Sequence, residues 1–165
     1  MTHTNYTKNI LNIKDENINF YENCLESSKI GGIETKIFKG YLTYMPTFCN
    51  SCGCINDDNS IINLGWDRNC KILLPKVSNY NTILYLDKQR FKCKHYNSTF
   101  NATSSLVDSY KNISNNTELS IKLDLMNKLS EKDIAKRHNV SHNKVNRIIH
   151  DLSNKKVLIG NLPLL

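Results

Sequence analysis

The chain has 165 residues, is 39% hydrophobic and 22% charged, and contains six glycines and three prolines. This composition excludes collagen-like and low-complexity chains, and its apolar content is too high for a wholly disordered protein. No apolar run approaches the roughly 18 residues of a membrane span, and the N-terminus has no signal-peptide pattern. We therefore expect a cytoplasmic protein, in which the six cysteines are thiols or metal ligands rather than disulfides.

The net charge of +7 is distributed unevenly along the chain. Residues 1–40 sum to zero, residues 41–110 to +2 and residues 111–165 to +5. A positive excess of this kind favours a polyanionic partner, and it concentrates in the last third of the chain. Nothing in the composition indicates a small-molecule substrate or a membrane partner.

The first 110 residues have the pattern of strands. Ile18 and Phe20 alternate with asparagine, and short apolar stretches between residues 28 and 45 flank a Gly31-Gly32 turn. Residues 60–75 return to strand character, which Pro75 should end, and residues 80–92 rise directly into Cys93. We predict an N-terminal strand region over residues 1–40 and a zinc-ribbon-like β domain over residues 41–110.

Two cysteines in the segment CNSCGC have the spacing of half a zinc knuckle. Cys49 and Cys52 are separated by two residues, so both sulfurs can reach one tetrahedral metal at about 2.3 Å. The second half of a ribbon should follow about 40 residues later, and Cys93 lies there. Its expected partner position holds Tyr96, a poor ligand because a phenol ionises only near pH 10.

The fourth metal ligand therefore has several candidates. His95 is one residue from the ideal position and has suitable chemistry, so we predict a zinc site formed by Cys49, Cys52, Cys93 and His95. Cys54 is an alternative ligand from the first knuckle, and a ribbon that packs without metal also stays open. The two other cysteines, Cys24 and Cys70, are expected to be ordinary packing residues.

After residue 110 the apolar spacing becomes helical. Ile121, Leu125 and Leu129 predict a first helix, which Asn115 or Asn116 can cap. Ser130 should cap a second helix that ends at Asn139 in a left-handed conformation, and Ser141 should cap a third that carries Val145 and Ile148. With the small residue Ala135 facing inward, these features predict a three-helix helix-turn-helix domain over residues 111–153. The fold class would be α+β, with residues 154–165 as a linker.

One face of the third predicted helix lacks acidic residues. Hydrogen-bonding or cationic side chains without acids are what a helix requires to enter the major groove of duplex DNA. Lysines and arginines nearby, including Lys132, Lys155 and Lys156, suit phosphate contacts. We predict that the DNA-binding residues are Lys136, Arg137, His142, Asn143, Lys144, Asn146, Arg147 and His150.

Three segments, CNSCGC, RFKCKHYNSTF and SEKDIAKRHNVSHNKVNRII, together resemble the N-terminal part of the ISL-three family of bacterial insertion-sequence transposases. The resemblance covers roughly residues 10–152 and includes the order of the motifs. It implies a zinc ribbon followed by a DNA-reading helix that binds the terminal inverted repeats, and it allows a homodimer. In the family, a catalytic domain with three metal-binding carboxylates follows a Leu-Pro segment similar to Leu162-Pro163.

The resemblance therefore implies a transposase fragment that binds DNA without performing transposition chemistry, since no catalytic carboxylate can be matched to this chain. Two other functions stay open from the residues. The chain could be a stand-alone transcriptional regulator that occupies an operator, or a zinc-ribbon module that binds proteins. A catalytic cysteine is disfavoured because nothing in the sequence brings a base beside a thiol.

Overall fold

A computed structural model describes the backbone of residues 3–160 and the side chains of residues 3–154. The chain divides into two compact units, Met1–Asn115 and Asn116–Leu165. Within the described residues, no helix combines the length and apolarity that crossing a membrane requires. The elements in chain order are α1 (His3–Leu11), β1 (Ile18–Ile30), β2 (Ile33–Leu42), β3 (Ile61–Val77), β4 (Tyr80–Cys93), β5 (Thr99–Asn101), α2 (Asn115–Met126), α3 (Glu131–His138) and α4 (His142–Gly160).

The first unit contains one five-stranded mixed sheet with the order β1-β2-β4-β3, in which β5 also pairs with β4. β1 and β2 form an antiparallel hairpin around Gly31-Gly32, whose positive φ angles of 59° and 79° confirm the predicted turn. β3 and β4 form a second hairpin, around Ser78-Asn79. β2 and β4 run parallel, so the chain between them crosses over to begin a new hairpin.

Strand β4 has the most partners in this sheet, since it pairs with three other strands. One side pairs with β3, and the other pairs first with β2 and then, over Arg90–Lys92, with β5. β3 does not end at Pro75 as predicted, but continues to Val77. Its pairing is irregular between Leu74 and Val77, where a proline without an N–H donor is tolerated.

The core of the first unit lies against the centre of the sheet. Its buried apolar residues come from all four long strands and from α1, and they include Ile18, Leu42, Ile72, Leu84 and Phe91. The segment after β5 joins this unit through Leu73 of β3. The Leu73 N–H donates to the Asn112 carbonyl and the Ser114 N–H donates to the Leu73 carbonyl, both at 2.9 Å.

The local signals predicted to start and stop α3 and to start α4 are confirmed. The Ser130 hydroxyl accepts the Asp133 N–H at the start of α3, and Asn139 ends α3 in the left-handed conformation, with φ 54° and ψ 43°. The Ser141 hydroxyl accepts the Lys144 N–H in the first turn of α4. The buried apolar side chains of this unit are Ile121, Ile134, Ala135, Val145 and Ile148.

The predicted fold class is nevertheless wrong. The structure is mixed α/β, and residues 18–101 contribute to a single sheet instead of a separate strand region and a small ribbon. The four helices do not form a clear three-helix helix-turn-helix domain, since one precedes the sheet and α2 ends before Leu129. α2 also leaves Leu119, Leu123 and Met126 exposed, because its apolar residues surround the helix axis instead of forming one stripe.

The last helix is longer than the sequence indicated. α4 runs for 19 residues to Gly160, so residues 154–160, which we expected to be linker, are helical. The predicted phosphate contacts of Lys155 and Lys156 lie outside the side chains that the structure describes, and residues 161–165 lie outside its described backbone.

Gly40 marks a close approach of β1 to β2 that leaves no room for a side chain. A Cβ atom at this position would lie 2.5 Å from the backbone oxygen of Asn19. We expect Gly40→Ala to lower the free energy of unfolding by about 1–3 kcal/mol, the usual cost of overpacking. Urea denaturation followed by circular dichroism measures this change.

The matched control is Gly32→Ala at the hairpin turn, where an added Cβ meets no atom within 4 Å. That variant costs only the left-handed backbone penalty, about 1 kcal/mol. If Gly40→Ala is as stable as the unchanged protein, the pairing of Phe20 with Gly40 is incorrect.

Candidate metal centre and candidate nucleic-acid interface

Four cysteine sulfurs meet where the loop after β2 approaches the end of β4. The side chains of Cys49, Cys52, Cys54 and Cys93 place their Sγ atoms within 4.8 Å of one another. The Sγ–Sγ distances are 3.3 Å between Cys52 and Cys54, 3.5 Å between Cys54 and Cys93, and 3.8 Å between Cys52 and Cys93. These four residues can hold a metal ion.

The spacing of the sulfurs fits a thiolate-bound metal. In a tetrahedron with metal–sulfur bonds of about 2.3 Å, the sulfurs are about 3.8 Å apart. The distances of 3.3, 3.5 and 3.8 Å equal this value or lie slightly below it. None is a disulfide, because all six cysteines are free thiols. Four soft sulfur donors are the ligand set that zinc and iron–sulfur centres prefer over oxygen-seeking cations.

Backbone hydrogen bonds shape the cysteine turn. The Cys49 N–H donates to the Cys54 carbonyl and the Gly53 N–H donates to the Cys49 carbonyl, both at 2.8 Å. Gly53 has a φ of 72°, a left-handed conformation that glycine adopts without strain. The short loop therefore curls so that three of its cysteines face the same point.

Asn56 attaches this turn to the start of β3. Its side-chain amide donates to the Pro46 carbonyl at 2.9 Å, and its side-chain oxygen accepts the Ile61 N–H at 2.9 Å. Ile61 is the register partner of Cys93 at the end of β4. The amide of one asparagine thus connects the loop that carries three sulfurs to the strand pair that carries the fourth.

The electrostatic surroundings favour the thiolate form of Cys49. Burial raises the pKa of this thiol, but hydrogen bonds from the backbone N–H groups of Cys52 and Ser51 and from the Ser98 hydroxyl outweigh it and lower the pKa to about 6. The Ser51 N–H lies 3.4 Å from the Cys49 sulfur and the Ser98 hydroxyl lies 3.7 Å from it. Donors that surround a sulfur in this way stabilise its negative charge.

Cys54 has the opposite tendency. Hydrogen bonds with the sulfurs of Cys52 and Cys93, together with burial and their negative charge, raise the pKa of Cys54 to about 12. Sulfurs at these distances repel one another when more than one is ionised. A cation among them removes that repulsion, because each thiolate then faces a positive charge.

The structure corrects the predicted set of metal ligands. Cys49, Cys52 and Cys93 come together as predicted, but the fourth member is Cys54 and not His95, which is exposed outside the cluster. Tyr96 is also exposed and contributes nothing to the cluster. Residues 94–97, which form the turn after β4, are all exposed.

The two other cysteines lie outside the cluster, as expected. Cys24 is buried in the core of the first unit, and the Cys70 thiol lies 3.6 Å from the Asp67 carbonyl. Sequence reasoning also missed Asn56 and Ser98, which contact the cysteine turn. The short CxxCxC spacing is the sequence signal that favours Cys54 as a ligand. No local signal identifies Asn56 or Ser98.

In the second unit, the exposed face of α4 carries many of the residues predicted to bind DNA. At about 100° per residue, Asn143, Asn146, Arg147 and His150 fall on one side of the helix, opposite the buried Val145 and Ile148. His142 and Lys144 lie at the margins of this face. The first acidic residue of α4 is Asp151, so the face is free of carboxylates over its first two turns.

Several of the predicted DNA-binding residues already have partners within this unit. The Arg137 guanidinium lies 3.1 Å from an Asp124 carboxylate oxygen, and the His138 ring lies 2.8 Å from the other. His142 Nε2 lies 3.1 Å from Glu131. These contacts connect α2 to α3 and α3 to α4, so Arg137 and His142 contribute to the architecture of the unit.

Comparisons with known proteins identify no relative of this chain. No protein-family model matches it, and no curated protein or solved structure is significantly similar.

The identity of the fourth ligand can be tested with cobalt(II), whose thiolate absorption reports the number of bound sulfurs. We expect Cys54→Ser to weaken cobalt binding by more than about 100-fold, because removing even an outer partner of a metal site costs 10–100-fold. His95→Ala is the matched control and should leave both affinity and spectrum unchanged. The opposite ranking of the two variants would restore His95 as the ligand.

Proposed function

We propose that the chain is a zinc-containing, sequence-specific DNA-binding protein that acts on duplex DNA in the cytoplasm and cleaves no strand itself. The observation that carries this proposal is the exposed face of α4, which carries no carboxylate of its own over the first two turns. A tight turn precedes α4, between the C-cap of α3 at Asn139 and the N-cap of α4 at Ser141. An α-helix fits the major groove, which is about 12 Å wide.

The side chains on this face match the chemistry of base edges. An asparagine can bind adenine through two hydrogen bonds and an arginine can bind guanine in the same way. Asn143 and Arg147 are one turn apart on the exposed side of α4, so we assign them direct contacts with bases. Asn146 and His150 flank them, and their side chains contact His142 and Asn154 at 3.3 and 3.1 Å.

Lysines around the helix pair supply the phosphate contacts in this proposal. Lys136 is exposed near the end of α3 and Lys144 is half-buried in the first turn of α4. Arg137 and His142 already pair with Asp124 and Glu131. Each would have to leave that carboxylate to bind a phosphate, so we expect both to contribute less to the affinity for DNA. Phosphate contacts orient the protein on the duplex, whereas base contacts distinguish sequences.

Zinc is the metal we propose for the four-cysteine centre. A site closed by four protein sulfurs leaves no open position for a substrate, which is typical of structural zinc. The ion would join the loop between β2 and β3 to the end of β4 through Cys49, Cys52, Cys54 and Cys93. Its role would be to stabilise the first unit.

We further propose that the natural target is the terminal inverted repeat of an insertion sequence, as the resemblance to ISL-three transposases implies. The acids of the helical unit do not favour a nuclease centre, since four of the five are used locally. Glu118 pairs with Lys122 at 2.7 Å, Asp124 with Arg137 and His138, and Glu131 with His142. Asp133 contributes to the cap of α3.

Removing zinc should destabilise the protein. Free zinc at 1,000 times its dissociation constant stabilises a folded protein by about 4.1 kcal/mol, or about 8–16 °C in melting temperature for a chain of this size. We expect one zinc per chain by elemental analysis and a drop of about this size on chelation. A zinc-free protein that melts at the same temperature would contradict a structural role.

Substitutions on α4 test the DNA-reading face. We expect Arg147→Gln and Asn143→Ala each to weaken binding to the preferred duplex by about 1–3 kcal/mol, or roughly 5- to 150-fold, and to relax the preference at one base pair. Fluorescence anisotropy with the best duplex selected from a random pool measures both effects. Lys128→Gln and Asn127→Ala, which lie after the end of α2, are matched controls and should change little.

If neither Arg147→Gln nor Asn143→Ala loses affinity while both remain folded, α4 does not read bases.

Footprinting of the DNA around the gene distinguishes the two biological roles. Protection confined to inverted repeats that flank the gene supports the transposase-derived function, and protection of an unrelated promoter supports a transcriptional regulator instead.

A further inference from the structure

Basic residues recur with a period of two along the second half of β4 and just beyond its end. Lys88, Arg90, Lys92 and Lys94 occupy every second position over seven residues. Alternate residues of a strand point to the same side and are about 6.7 Å apart. The sequence pattern therefore predicts a line of cations along one side of the strand, which we call the β4 stripe.

The pairing of β4 confirms this alternation for the first three members. Lys88 is opposite Leu42 of β2, and β5 then continues on that side with Asn101 opposite Arg90 and Thr99 opposite Lys92. The extra residues that cause irregular pairing with β3 lie in β3, so β4 itself alternates without interruption. Lys94 follows at the next alternate position, and its N–H still donates to the Ser60 carbonyl at 2.8 Å.

The stripe is not neutralised within the described part of the chain. None of its four residues forms an ion pair there with a carboxylate within 4.0 Å. Asp67, the register partner of Lys88, is a carboxylate on this side of the sheet. Its 2.7 Å hydrogen bond comes from the neutral Asn101 amide and does not cancel its charge, so it offsets one of the four positive charges of the stripe. Like charges at such spacing repel one another, so a row of this kind is favourable mainly beside a polyanion.

A polar groove lies beside the stripe. It has a volume of about 870 Å³ and is lined by Lys88 and by hydroxyl and amide side chains, among them Thr99, Asn101, Thr103 and Ser104. The other wall contains Asn50 and Ser51 of the cysteine turn. Hydroxyl, amide and ammonium donors of this kind are the groups that bind phosphate oxygens in protein–DNA complexes.

Asp108 is the acidic residue that the structure describes in the lining of this groove. Its carboxylate lies 2.9 Å from the Lys111 ammonium, which offsets its charge. The groove and the adjoining stripe therefore present a net positive surface with hydrogen-bond donors, and Phe100 and Val107 add an apolar part to the groove lining.

We propose that the β4 stripe and this groove form a second DNA contact, which binds the phosphodiester backbone of duplex DNA. The sheet unit would hold DNA without regard to sequence, while α4 selects the sequence. The inference rests on the proposed function in one respect, namely that both units bind the same class of partner. It requires no base contact by α4.

The dependence of binding on salt tests this assignment in the full-length, zinc-loaded chain. Each phosphate neutralised contributes about −0.9 to the slope of log affinity against log salt for duplex DNA. We expect Lys88→Gln/Arg90→Gln to make that slope shallower by about 1.8 on a duplex of arbitrary sequence. Lys92→Gln/Lys94→Gln, the other half of the stripe, should have a similar effect.

The control is Lys29→Gln/Lys71→Gln, which removes the same charge from the same sheet. Lys71 is the register partner of Tyr85 and therefore points to the opposite side from the stripe, and Lys29 lies near the tip of the first hairpin. We expect its slope to match that of the unchanged protein. Equal losses in stripe and control variants would mean that only overall charge matters and would overturn the assignment.

The outcomes separate this inference from the proposed function. Stripe variants should weaken binding to all duplexes alike, whereas Arg147→Gln should change the preference among sequences. Unchanged slopes in both stripe variants, with melting temperatures retained, would overturn the stripe alone. A loss in stripe variants with no effect of Arg147→Gln would overturn the role of α4 alone. If the stripe variants lose affinity for single-stranded DNA but keep their affinity for duplex DNA, the choice of duplex DNA as the partner of the stripe is overturned.

Discussion

The pairing of β4 on both of its edges is the constraint on which the first unit depends. β3 holds one edge throughout, while β2 and then β5 hold the other, so the register of this strand is determined from two sides. A shift of one residue would turn every side chain to the opposite face. It would turn Phe91 out of the core and would also withdraw Cys93 from the other three sulfurs.

The same register connects two chemical features that look unrelated in the sequence. Cys93 is at an odd-numbered position of the strand and Lys88, Arg90 and Lys92 are at even-numbered positions. The sulfur and the cations therefore lie on opposite sides of β4. A single regular strand can therefore contribute to a metal centre on one side and to a phosphate-binding surface on the other. Zinc at the end of this strand would stabilise both, because it would connect the loop to the strand end.

The helical unit uses its charges differently. Asp124 and Glu131 pair with basic residues of neighbouring helices and Asp133 contributes to the cap of α3, while exposed basic residues lie on the outside of α3 and α4. This separation would favour DNA binding, because a carboxylate on the outer face would repel a phosphate backbone. The described part of the chain thus contains two basic surfaces of different shape, one face of a helix and one face of a paired strand, for which we propose groove reading and backbone contact respectively.

Short-range signals were sufficient wherever a few neighbouring residues decide the structure. The Gly31-Gly32 turn, the Ser130 cap, the left-handed Asn139 and the Ser141 cap each depend on the conformational preference of one or two residues. The sequence alone also determined that Cys49, Cys52 and Cys93 belong together. Only the tertiary structure decided the parallel pairing of β2 with β4, the exchange of His95 for Cys54, and the departure from a three-helix domain. The physical reason is that strand order and ligand geometry depend on contacts between residues far apart in the chain, whereas caps and turns depend on residues a few positions apart.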